Sequence, residues 1–185
     1  MLHPALPQRH PRTLLLLAIL VGLLAFPGTS DAQSKDFTVG AFLSFGGATD
    51  ADPDSGLDDS GFQLLFAYQR DIDNRFNLRI GQMSLDNDDG GSLFDADLDY
   101  LTLSGEYQFS GGHYESGLFL GLGLYSIDGS TFVDDEESLG LNLGVSGDFR
   151  LTDRFSLLAE FSLHYADLDF ARFFLLANVG VGFHF

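Results

Sequence analysis

Residues 173–185 read FFLLANVGVGFHF. From Phe173 every second residue is apolar (Phe173, Leu175, Ala177, Val179, Val181, Phe183, Phe185), while the intervening set closes on Asn178, Gly180, Gly182 and His184. A period of two is a strand, with one greasy face and one small or polar face. In water a strand that stops on an aromatic would present an edge prone to aggregation. A closed barrel in a membrane has no edge and turns the aromatics to lipid.

Seven more segments upstream repeat the pattern. They run over residues 37–46, 61–70, about 76–85, 98–109, 114–125, 139–150 and 155–165, each close to the roughly 9–11 residues of a membrane-spanning strand. The fifth carries Leu118, Leu120, Leu122 and Leu124 against Gly117, Phe119, Gly121 and Gly123. Connections at 71–74, 110–112 and 151–154 are tight, whereas those at 47–60, 86–97 and 126–138 are long and that at 166–172 is intermediate. Short turns at one end and long loops at the other predict an all-β, eight-stranded antiparallel up-and-down transmembrane β-barrel with its turns in the periplasm.

A soluble eight-stranded barrel of the lipocalin type shows the same alternation with the apolar face inward. The second face separates the two. It is mostly Gly, Ser, Thr, Asn and Gln with isolated charges, which suits the filled interior of a narrow barrel better than a water-exposed surface. Aromatics at the segment ends (Phe37, Phe45, Phe62, Tyr68, Phe76, Phe109, Phe149, Phe155, Tyr165, Phe185) fit interfacial girdles.

Residues 1–32 read as a secretory signal peptide: Arg9 and Arg12 precede an apolar stretch from Thr13 to Phe26, Pro27 breaks it, and Ser30 and Ala32 are small residues before a cleavage point. The stretch is shorter than the roughly 20 residues of a spanning helix, so residues 33–185 form one domain. The chain has no cysteine, which excludes a disulfide framework and acylation at the cleavage site. Its net charge is −18, which argues against nucleic acid as a partner, since phosphate recognition needs clustered Lys and Arg.

The stretch from Leu139, LGLNLGVSGDFRLTDRFSLLAEFSLHYADLDF, followed by ANVGVGFHF, resembles the small outer-membrane β-barrel proteins of the OmpA-like and OmpX-like group. Within it RLTDRFSLLAEF is similar to their last periplasmic turn and penultimate strand, and Phe185 to the terminal aromatic read by the barrel-assembly machinery. The resemblance implies a fold and an outer-membrane location. It implies no activity, because one fold hosts many functions.

Arg79 is the one inward basic residue well away from the rim, with Glu106 on the neighbouring segment at similar height and Glu160 across the lumen. A confined charge must be paired, so these three are expected to form a lumen cluster, with Glu115 nearby. A gate across a pore and an internal brace are both readings of that cluster; an interior filled by side chains favours the brace. Glu160, Ser162 and His164 share an inward face and resemble the set used by outer-membrane lipid A deacylases. Tyr165 and Ala166 depart from that pattern, and a lipid-modifying site should face lipid. No catalytic residue is therefore expected, and His113 and His184 read as turn or lumen residues.

Most acidic residues fall in the long connections. DADPDSG at 50–56 and DNDDGG at 86–91 offer Asp50, Asp52, Asp54, Asp86, Asp88 and Asp89 as candidate metal ligands, since hard cations take carboxylate oxygens. Neither stretch fits the EF-hand loop, and solvated acidic loops are the plainer account. No cofactor is expected beyond weakly bound Ca²⁺ or Mg²⁺, which would bridge the loops to lipopolysaccharide phosphates. The expected protein is a monomeric, non-enzymatic barrel in contact with outer-membrane lipid and lipopolysaccharide, with a structural or surface-interaction role. The alternatives are a small cation-preferring pore and a lipid-modifying enzyme.

Overall fold

A computed structural model of the chain describes residues 37–50, 59–86, 95–111, 114–128, 136–169 and 171–185, with backbone alone at Asp86, Asp95 and Ser110. Residues 1–32, expected to be a signal peptide, and His113, Asp52, Asp54, Asp88 and Asp89 lie outside the described residues. Eight strands, β1 (Phe37–Ala48), β2 (Asp59–Gln69), β3 (Asn74–Asp86), β4 (Asp95–Ser110), β5 (Tyr114–Asp128), β6 (Glu136–Arg150), β7 (Phe155–Ala166) and β8 (Phe173–His184), follow one another in chain order. Each pairs antiparallel with its neighbours, and β8 pairs with β1 to close the barrel. At the seam Phe37 and Phe185 exchange backbone hydrogen bonds of 3.1 and 2.9 Å.

Sidedness is unambiguous. Leu118, Leu120 and Leu122 are 54, 64 and 65% exposed, on the outside of the wall. Aromatic contacts gather at the turn end: Phe37 lies 5.1 Å from Tyr68 and 5.9 Å from Phe185, Tyr107 5.1 Å from Phe109, and Phe155 5.2 Å from Phe183. At the opposite end Tyr165 meets Phe173 at 5.2 Å. An apolar wall between aromatic rims is what a bilayer stabilises and water does not.

Inward glycines make seats for inward bulk. A Cβ on Gly40 or Gly182 would meet Leu158 Cδ1 at 2.9 Å, one on Gly144 the Phe119 ring at 2.6 Å, and ones on Gly123 and Gly140 the Tyr125 ring at 2.6 and 2.8 Å. Alternating small and large residues thus fill a lumen too narrow for uniform side chains. Gly46 has φ of +149°, a conformation that side-chain-bearing residues rarely adopt.

Periplasmic turns are closed by side chains. In the first, Asp71 accepts from the backbone N–H of Asp73 (3.1 Å) and Asn74 (2.9 Å) and from the Asn74 amide (2.7 Å). Those hydrogen bonds, led by the one from the Asn74 side chain, hold its carboxyl below the ordinary carboxylate range. A lowered folded-state value means the contribution is complete above the unfolded-state value and is lost as pH falls through the folded one. Asp71→Ala should therefore weaken the barrel at neutral pH and converge with wild type in strong acid, as read by urea unfolding across pH.

The strands β3 to β6 run further outward than the sequence pattern suggests. They have 13, 16, 15 and 15 residues, against 12, 11, 12 and 12 for β1, β2, β7 and β8. Asp95, Asp97, Asp99, Asp128, Glu136 and Glu137, expected in or beside the loops, stand on paired strands instead. The reason is a change of phase. Below Tyr100, β4 turns apolar residues out and polar ones in; above it, Ala96 and Leu98 point in while Asp97 and Asp99 point out. The period of two survives, and the solvent outside changes from lipid to water.

Candidate functional site

Polar residues of the lower lumen form one connected network. Arg79, buried on β3, donates from Nε to both oxygens of Glu160 (3.3 and 3.1 Å), from Nη2 to Glu160 Oε1 (2.9 Å), and from Nη1 to Ser104 Oγ. Its guanidinium also lies 4.0 Å from the centre of the Phe119 ring. Glu106 stands 3.8 Å from Arg79 Nη2. Its principal partner is Arg75, whose Nη2 donates to Oε1 and Oε2 at 2.8 and 3.0 Å. Asn77 and Ser146 complete its shell, the latter at 2.7 Å.

The structure thus brings Arg79, Glu106 and Glu160 together and adds Arg75, which the sequence places at the rim. Arg75 is at the turn end of β3 but its parity is inward, and the Glu106 carboxylate draws it there. Glu115 is not in this group; it accepts from Arg150 at 3.1 Å at the periplasmic rim. Around Glu160, Gln63 Nε2 donates at 2.8 Å and Tyr100 donates to Gln63 Oε1 at 3.0 Å. These neutral partners carry no signal in one sequence, because their meeting depends on register across the lumen.

Ser162 Oγ and His164 Nε2 lie 2.9 Å apart, and His164 Nδ1 lies 2.9 Å from the Tyr125 hydroxyl. Glu160 is committed to Arg79 and Gln63, so it does not orient the histidine as an acid would in a nucleophilic triad. All three are buried in the lumen, away from any lipid substrate. His184 bridges two hydroxyls, with Nδ1 2.9 Å from Thr38 and Nε2 2.5 Å from Ser156.

Above the network the lumen is closed by a buried apolar plug. Met83, Leu98, Ile127, Leu168, Phe174 and Leu176 are its largest members, with Tyr100 and Tyr125 on its underside. Met83, Leu98, Ile127 and Leu168 stand beside acidic residues, whose charge hides them from a reading by composition, whereas Phe174 and Leu176 lie on the inward face of β8. Asp50 is used structurally: its carboxylate accepts from the backbone N–H of Arg172 (3.1 and 3.3 Å) and Phe173 (2.9 Å), fixing the start of β8. Among the described residues no three His, Asp or Glu gather at metal-holding range.

A closed barrel with lipid-facing leucines, aromatic rims and a polar charged lumen is an integral outer-membrane β-barrel of the small eight-stranded class. No protein-family model and no curated protein matches the sequence. The fold is similar to that of the Neisserial surface protein A, 20% identical with a TM-score of 0.59 over 82% of this chain and 96% of that one. It is similar also to the outer membrane protein OprG of Pseudomonas aeruginosa, 16% identical with a TM-score of 0.61 over 80% and 95%. A de novo designed transmembrane β-barrel, 10% identical, matches with a TM-score of 0.51 over 84% of this chain and 100% of that one. That a designed sequence fits so well shows how far the likeness concerns architecture.

Proposed function

We propose that the protein is a non-enzymatic surface-interaction protein that offers an acidic face to cationic partners outside the cell. The observation that carries this reading is the projection of β3 to β6 beyond the apolar wall. Its inner face is packed against the plug, and its outer face bears Asp97, Asp99, Asp128 and Glu137. Asp97 stands directly opposite Asp128 across the β4–β5 pair, and Ser84 donates to Asp97 at 2.8 Å. Like charges opposed across a ladder are destabilising, and a cationic partner relieves them. Among the described residues Arg172 is the sole basic residue at this end of the barrel, and it already pairs with Asp167 at 3.3 Å.

The test uses the barrel in nanodiscs of zwitterionic lipid, titrated with oligolysine and separately with Ca²⁺. Oligolysine binding is expected to weaken several-fold in a variant combining Asp97→Asn, Asp99→Asn and Asp128→Asn, and to fade with added salt as exposed charges are screened. Equal binding by both proteins would remove the face from consideration. A response to Ca²⁺ that the triple variant loses would favour divalent bridging to lipopolysaccharide phosphates, for which the opposed Asp97 and Asp128 speak. Against the cation-pore alternative stands the plug: no unitary conductance is expected in planar bilayers, and resolved steps would restore the pore. Against a lipid-modifying enzyme stands the enclosure of Ser162 and His164.

A further inference from the structure

The lower lumen contains side-chain atoms that are buried and make no hydrogen bond within the protein: both carboxylate oxygens of Asp148, Nε of Arg75, Oδ1 of Asn77, Oδ1 of Asn142, and both ends of the Asn178 amide. They lie at two heights. Asp148 is near the periplasmic mouth, 3.9 Å from Arg75 Nη1 and 3.6 Å from His184 Nε2, beyond direct hydrogen-bond reach of either. Asn178 and Asn142 are at mid-height, where Asn178 neighbours Glu160 and Ser44 across its two ladders and Asn142 neighbours Gly121 and His164.

Elsewhere this lumen is densely bonded, so the unpartnered set is localised. The nearest candidates are already committed, Glu160 to Arg79 and Gln63 and His164 to Ser162 and Tyr125. Gly121 faces Asn142, and a Cβ placed on it would lie 2.6 Å from Asn142 Oδ1, so the amide oxygen itself fills the space the glycine leaves. A buried amide with neither end bonded is costly, and a small polar occupant restores the lost hydrogen bonds.

We infer that the lower lumen holds ordered water at two heights, against Asp148 and Arg75 Nε at the periplasmic mouth and, at mid-height, against the Asn178 amide and separately against Asn142 Oδ1. The chemistry selects water. Asn178 presents a donor and an acceptor together, which a metal ion cannot satisfy, and Asp148 has Arg75 and His184 within 4 Å and Glu115 opposite it in the β5–β6 ladder, a mixed setting in which a bare cation meets a guanidinium group. Separations beyond direct reach between charged groups are where bridging waters are found. The plug closes these sites from the outside, so they are cut off from extracellular solutes.

The test is magnetisation transfer from water to the side-chain amides of the intact barrel in nanodiscs by NMR. The Asn178 and Asn142 amides are expected to show cross-peaks to long-lived water, and Asn178→Leu is expected to lower the urea midpoint by stranding that water against an alkyl group. Silence at the Asn178 amide in the wild-type barrel overturns the mid-height site whether or not the variant folds. A Leu variant that unfolds at higher urea than wild type overturns it independently, since removing a dry, unbonded amide stabilises.

Discussion

Arg79→Met is expected to cost the barrel about 3–5 kcal/mol of unfolding free energy, the penalty for leaving a buried carboxylate without its counter-charge. Three of the four contacts Glu160 makes in this network come from the Arg79 guanidinium, and the fourth comes from the neutral Gln63. The double variant Arg79→Met with Glu160→Leu should recover most of the loss, because it removes the stranded charge together with its partner. Unfolding by urea in lipid vesicles measures both. The chain has no tryptophan, so circular dichroism or the heat-dependent gel mobility of barrels is the readout. A loss no larger than that of an exposed ion pair, about 0–1 kcal/mol, would mean that water reaches the cluster freely and that it braces nothing.

Leu120→Arg should be nearly as damaging for a different reason. Leu120 lies near the middle of the outward run on β5 and is 64% exposed. In a bilayer an arginine at that depth costs about 2–4 kcal/mol, whereas on a water-exposed surface a substitution of this kind stays within about 0.5 kcal/mol. The same unfolding measurement decides between them. A silent Leu120→Arg would contradict the lipid-facing wall.

The sequence pattern carried the architecture well because period two is local. Eight alternating runs with short and long connections in turn determine strand count, direction and sidedness without any knowledge of register. Arg79, Glu106 and Glu160 were legible for a related reason: a lone charge on an inward face must find another. Arg75 was not, since an arginine beside a turn reads as a rim residue and only the register of β3 against β4, which sets Arg75 opposite Glu106, turns it into a partner. Nor were Gln63, Tyr100 and Asn77 legible, as neutral groups announce no need for a partner.

The plug was hidden by its company. Met83 and Leu98 sit at the outer ends of two recognised alternating runs and Ile127 in a stretch read as a connection; all three keep their inward parity, but Asp86, Asp97, Asp99 and Asp128 flank them and mask the apolar set they form. Asp50, a candidate cation ligand by composition, fastens the start of β8, a role that only the fold reveals.

The reversal within β4, with Leu101 and Leu103 outward below it and Asp97 and Asp99 outward above it, has a mechanical corollary. Sinking the barrel deeper would drag carboxylates into hydrocarbon, and raising it would bring leucines out among headgroups, so either displacement is opposed at once. The depth at which the protein floats is written into its strands, and the acidic crest keeps a constant stand-off from the cell surface.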